Sequence, residues 1–180
     1  MEPLVPTPIG MSHPSRWLAV LRVCVGLYFA KALWTKMDLV LLGGVVPWLG
    51  VEPRWVETMP ALVARHAAEN PFPFYKHFLE QTVLAHPLAF ARLTAWGEVL
   101  VGLSLTLGLF AGLGALGGFW LSLNYGISSQ HLSPASFGFH YLLVVVMAVL
   151  FLARSGRALG LDAWIAWRWP GSWLTRRPIA

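Results

Sequence analysis

From Val99 to Ala153 the chain carries no Asp, Glu, Lys or Arg. At about 1.5 Å per helical residue such a run is long enough to cross a hydrocarbon core of roughly 30 Å more than twice. Its breaks divide it, together with the residues just before it, into spans predicted at about 88–110, 115–127 and 137–153. Gly112 and Gly114 are expected to supply the tight turn between the first two, and 128–136, containing Pro134, separates the last two. An earlier apolar stretch, about 17–37, predicts one more span, although it contains Arg22 and Lys31 and ends near Lys36.

Between them, 38–87 reads differently. Prolines, four Glu, two Arg, one Lys and three His alternate there with short apolar runs. This is expected to be an extramembrane insertion with two short helices, over 55–67 and 74–85, punctuated by Pro53, Asn70-Pro71 and Pro73. Both can lie on the membrane surface with their Trp, Phe and Leu facing lipid or the bundle. After the fourth span, Trp164, Trp167, Trp169 and Trp173 interleave with Arg168, Arg176 and Arg177, the pattern of a short interfacial amphipathic helix. The pattern therefore predicts an all-α integral membrane four-helix bundle, one domain over 1–180, with an extended first loop and an interfacial C-terminal helix.

Composition strengthens this reading: 57% hydrophobic residues against 12% charged ones, and a mean hydropathy of +0.61, depart from soluble averages. A formal charge of +5 raises nucleic acid as a partner, but the arginines form no basic face interleaved with aromatics. Ten Trp, several near the expected boundaries, suit interfacial anchoring. With Cys24 the sole cysteine, neither an internal disulfide nor a thiolate metal cluster can be built. The stretch from Met1 to Arg16 has no basic-then-apolar leader pattern, so the first span is expected to direct insertion itself. Arg16 before the first span and Arg154, Arg157, Arg168, Arg176 and Arg177 after the fourth put both termini in the cytoplasm by the positive-inside rule, in an inner (plasma) membrane.

Chemistry centres on Glu98. A carboxylate within lipid is costly, so Glu98 is expected to be protonated, paired or exposed to a polar cavity. Counting along the helices places it roughly 13 Å deep, between Lys31 and Arg22. Of these two, Arg22 is the preferred partner, because it shares a face with Gly26, Phe29, Leu33 and Lys36 and can form a bidentate pair. Asn124, His131 and His140 are expected at similar depth to Glu98 and Lys31, as a polar pocket opening to the extracytoplasmic side. Such donors, with a protonatable carboxylate, suit a quinone head group, whose reduction takes up protons. The simpler reading of the same residues is a set of interhelical hydrogen bonds that only fix packing. The histidines have no metal-site or haem-pair spacing, so redox chemistry would use a partner's cofactor or a diffusing quinone.

Several short motifs carry a resemblance. Leu21-Arg22, Gly26, Phe29 and Lys36, then Trp96-Gly97-Glu98, Gly102 and Leu107-Gly108-Leu109, and finally Gly156-Arg157 and Gly160-Leu161-Asp162 are similar to the DoxX/DoxD-like family of small four-helix membrane proteins. Asn70-Pro71-Phe72 with Tyr75 and Leu79 resembles the DoxD-type members, which have a longer first loop. The resemblance implies a subunit of a thiosulfate:quinone oxidoreductase working with a second membrane-anchored subunit. It also implies that Arg22 and Glu98 are a recurring intramembrane polar pair and that Arg157 and Asp162 form a terminal structural motif. Other members are linked to redox homeostasis or are accessory components, so the alternative is a noncatalytic subunit packed against a larger respiratory or photosynthetic complex. No thiosulfate site is legible; Arg54, Arg65, Lys76 and Arg92 are candidates only by sign.

Overall fold

The computed structural model describes residues 14–42 and 45–179. The amino-terminal stretch read above as lacking a leader lies, up to residue 13, outside the described residues. Prolines set much of the punctuation. Pro53, Pro73, Pro87 and Pro134 each open a helix, where their fixed φ fits and their missing N–H costs nothing. At Pro134 the preceding Ser133 adds a side-chain cap, its hydroxyl accepting from the Ser136 amide at 3.1 Å.

Four long helices form the body: α1 (Pro14–Ala30), extended by the short α2 (Ala32–Thr35), then α5 (Pro87–Leu107), α6 (Ala111–Ser129) and α7 (Pro134–Leu152). Pro14–Thr35, Pro87–Leu107 and Pro134–Leu152 are long and apolar enough to cross a membrane. Helix α6 is as long as α7, but small residues replace bulky ones along its inner side: Gly114, Ala115, Gly118, Ser122 and Gly126 are buried. Helix α1 packs on α5, α5 on α6 and α6 on α7. Phe29, Leu105, Leu143, Met147 and Leu150 meet in the central core.

Helices α1 and α5 run antiparallel at backbone contact. A Cβ at Gly26 would lie 2.5 Å from the Thr106 amide nitrogen, and one at Gly102 would collide with the Ala30 backbone. The same ladder brings Arg22 to Gly108 at one end and Lys36 to Glu98 at the other. It fixes which charges can meet.

The turn between α5 and α6 corrects one expectation. It is made by Gly108, left-handed at φ 63°, and by Leu109 and Phe110, whereas Gly112 and Gly114 lie inside α6. Phe110 is itself left-handed at φ 52°, a conformation stabilised by Asp162, whose carboxylate accepts from the amides of Phe110 at 2.7 Å and Ala111 at 2.9 Å. An acid at the N-terminus of α6 also complements its helix dipole. Burial pushes the Asp162 carboxyl up, against the opposing pull of those two amides and of Arg22 and Arg157. Asp162 belongs to α8 (Leu161–Arg168), which follows a 3-10 turn at Ser155–Arg157 and carries the exposed Trp164 and Trp167.

The insertion is more structured than two surface helices. It begins with a hairpin, β1 (Met37–Leu42) paired antiparallel with β2 (Val46–Val51), Met37 opposite Val51. Helices α3 (Pro53–Ala68) and α4 (Pro73–Phe78) follow, with α4 running into a π-helical turn at Leu79–Val83. This unit is bound to the bundle: Ala67, Tyr75, Leu79 and Val83 pack with Phe90 of α5 and Ile127 of α6. Asn70 explains its motif. Its side chain donates to the Ile127 carbonyl at 3.1 Å and accepts from the Phe72 amide at 3.1 Å, tying the α3–α4 corner to the end of α6. Asn70→Ala is expected to cost about 1–3 kcal/mol, because buried backbone groups lose their partners, and to speed amide hydrogen exchange in α3 and α4 before the core of α5.

Candidate functional site

Under the insertion lies a cavity of about 590 Å³, floored by α5 and α6 and roofed by α3, α4 and the π-helical turn. Its walls are mainly apolar, with Met59, Leu62, Phe78, Leu93 and Trp120 among them, and its polar groups are few. Such a chamber, apolar with a small number of placed polar groups, is the usual form of a small-molecule site.

The polar end is built on the α1–α5 ladder. Lys36, just beyond α2, donates from Nζ to Glu98 Oε1 at 2.8 Å, and the Tyr125 hydroxyl of α6 donates to the same oxygen at 2.7 Å. The Lys36 ammonium also lies 4.0 Å from the centre of the Trp55 ring of α3. Glu98 is thus paired and hydrogen-bonded with side-chain exposure of 9%, and Lys36 with 15%. Each charge offsets part of the other's desolvation cost.

Arg22 is not Glu98's partner. Its guanidinium, 1% exposed, donates to the carbonyls of Ser155 at 2.6 Å, Ala158 at 3.1 Å and Leu159 at 3.3 Å, at the opposite end of α5. The physical reason is register. Arg22 and Lys36 share a helix face, but in an antiparallel pair the residue early in α1 meets the end of α5, and the residue after α1 meets its middle, at Glu98. Arg22 therefore closes the far end of the bundle, away from the chemistry expected of it.

The other expected groups divide between two cavities. Asn124 lines the large one, where the Tyr75 hydroxyl donates to its carbonyl oxygen at 3.0 Å and to its Oδ1 at 3.1 Å; burial pushes the Tyr75 phenol up to about 12. Lys31 lines only a second, smaller cavity, with its ammonium 3.9 Å from the Tyr28 ring centre. His140 borders both, and its ring stands 6.0 Å from that of Tyr125. His131 borders neither, and both its ring nitrogens are enclosed without a hydrogen-bond partner among the described residues. Among those residues no three His, Cys, Asp or Glu converge in a set that could hold a metal ion.

Tyr125, Trp55, Tyr75 and His66 are not among the site residues expected from the sequence, and Lys36 stands there as a span end on the Arg22 face and in a family motif, without a role at the site. The face shared by Gly26 and Lys36 was the available signal for Lys36. The insertion residues had none, because their role depends on how the insertion docks. His66 Nδ1 lies 2.9 Å from Ser128 Oγ. Burial holds the imidazole below its ordinary 6.5, assisted by the nearby His131, Arg65 and His140. The unfolded chain therefore takes up the proton first as pH falls, so the stability contributed by neutral His66 is complete above about 6.5 and is lost below it, through the lowered value. Protection factors of the α3 amides, taken relative to the intrinsic exchange rate at each pH, are expected to fall from neutral to mildly acid pH, and His66→Gln to reduce that dependence.

Apolar helices of spanning length mark an integral membrane protein, and under its insertion lies a mostly apolar cavity that ends on a buried ion pair. A family model described as "TQO small subunit DoxD" matches residues 65–173, well over half of the chain, and the chain belongs to that family. Searches of curated proteins and of solved structures gave no match.

Proposed function

We propose that this chain is the membrane subunit of a thiosulfate:quinone oxidoreductase in which the quinone ring is bound and protonated. The observation that carries the reading is the large apolar cavity ending on Lys36, Glu98 and Tyr125. Its walls suit an aromatic ring and the start of an apolar tail. Its polar end offers what reduction requires: an ammonium and a phenol as donors toward a ring oxygen, and a carboxylate that holds both in place. His140 and Asn124 border the same space. The electrons come from thiosulfate through a second membrane-anchored subunit, and two protons accompany two electrons into each quinol. In this reading α1, α5, α6 and α7 all span the inner membrane, both termini are cytoplasmic, and the insertion caps the extracytoplasmic end.

The test begins with decylubiquinone titrated into the protein in nanodiscs. Trp55 and Trp120 both line the cavity, so their fluorescence should be quenched saturably. In the complex with its partner, Glu98→Gln is expected to lower thiosulfate-driven quinone reduction by about 10²-fold, the lower end of general acid–base contributions, while decylubiquinone still binds. Gln keeps an acceptor for Lys36 and Tyr125 but leaves the ammonium without its counter-charge, so turnover is expressed per folded, quinone-binding protein. Undiminished turnover removes Glu98 from the mechanism, and a chain that neither binds quinone nor alters turnover belongs with the noncatalytic accessory subunits.

A further inference from the structure

The polar cluster has a second side. Behind it lies the smaller cavity of about 220 Å³, and Lys36, Glu98, Tyr125 and His140 border both spaces. The remaining lining of the smaller one is Tyr28, Phe29 and Lys31 of α1 and its extension and Leu143 of α7. The cluster is therefore a partition, with an apolar chamber on one face and a compartment of different character on the other. That compartment is far larger than the roughly 10–15 Å³ of probe-occupied space one water needs, and it has the polar partners that hold water. Lys31 is exposed beside it, giving it a charged rim. His140 adds a buried Nδ1 that has no hydrogen-bond partner among the described residues.

We propose that the smaller cavity is a hydrated proton port, through which the Lys36–Glu98–Tyr125 partition exchanges protons with water while the larger cavity is occupied. The inference rests on the quinone reading for what fills the larger space. A ring and tail seated there exclude water from that face, so protons consumed at the ring must be replaced from behind. Each proton given to a reduced ring oxygen breaks an N–H or O–H bond of Lys36 or Tyr125. A proton from water in the port re-forms that bond, and the electrons arrive separately from thiosulfate. His140, facing both spaces, is a positioning residue for the water on the port side.

Cysteine accessibility tests this in a Cys24→Ser background, since Cys24 is exposed. Leu143→Cys places a thiol in the smaller cavity alone, and Leu121→Cys places one in the larger alone. The chain in nanodiscs is treated with an anionic methanethiosulfonate, with and without saturating decylubiquinone. The expected result is modification of the Leu143→Cys variant at the same rate in both conditions, whereas the Leu121→Cys variant is protected by about tenfold or more, as for a ligand well above its Kd. Once the port-side thiol is derivatised, thiosulfate-driven turnover of the complex should fall several-fold and its solvent isotope effect rise, with decylubiquinone binding unchanged. Tyr28→Cys, at a second wall of the port, serves if Leu143→Cys does not fold. A port-side thiol that resists the charged reagent, is protected by quinone as the Leu121→Cys thiol is, or leaves turnover unchanged when modified overturns the port. Failure of quinone to protect the Leu121→Cys thiol instead overturns the quinone reading, and is distinguished by that position alone.

Discussion

Lys36→Met is expected to destabilise the protein by about 3–5 kcal/mol, the usual cost of removing one partner from a buried ion pair. The Glu98 carboxylate would keep only the Tyr125 hydroxyl, at 2.7 Å, inside a largely apolar end of the bundle. The ring of Trp55 would lose the ammonium 4.0 Å from its centre, loosening the contact between α3 and the cavity floor. The double variant Lys36→Met, Glu98→Gln removes both charges, and should recover most of the lost stability while leaving quinone reduction impaired. Reversible unfolding of the four proteins in mixed micelles closes a double-mutant cycle. Additive losses would show that the 2.8 Å pair contributes nothing as a pair.

Gly102→Val should prevent the bundle from closing. The added Cβ would overlap Ala30, whose backbone N and Cα and rigid Cβ are the atoms it meets, so no side chain can turn aside. Overpacking usually costs about 1–3 kcal/mol; here the cost lies at or above the upper end, because in lipid the helices are held by close packing itself. Little folded protein is expected in mild detergent, with the remainder aggregated on gel filtration. Gly138→Ala is the matched control: nothing lies within 4 Å of the added Cβ, and losing a helical glycine favours the fold by about 0.5–1 kcal/mol. A Gly102→Val protein as stable as that control would mean that α1 and α5 do not meet at this glycine.

These two variants also separate what could be read along the chain from what could not. The helices were legible because their determinants are local. Spanning length and apolar content placed 88–110, despite Arg92 and Glu98, against the observed Pro87–Leu107, and 137–153 against Pro134–Leu152. Both insertion helices were legible from short runs of mixed polarity between Pro53, Asn70-Pro71 and Pro73. The third span, expected at 115–127, starts earlier, at Ala111. Gly112 and Gly114 looked like a turn, but they are helical residues that admit the Ile179 carbonyl and the Ser104 side chain. A glycine's neighbours are not written beside it. The hairpin at Met37–Val51 was missed because its strands pair with each other only after the chain has reversed.

Residue order alone specifies a membrane-embedded helical chain, a costly carboxylate at Glu98 in need of a partner, and the face of the first span from which that partner comes. Apolarity, charge and helical period are properties of residues and their spacing, and they survive without the fold. Helix packing selects Lys36 as the partner and sends Arg22 to close the far end of α5. Both cations lie on that one face, and a shift along an antiparallel helix of a few turns, at about 5.4 Å each, exchanges one for the other. The register that chooses is set where Gly26 meets Thr106 and Gly102 meets Ala30, by backbones brought into contact from distant parts of the chain.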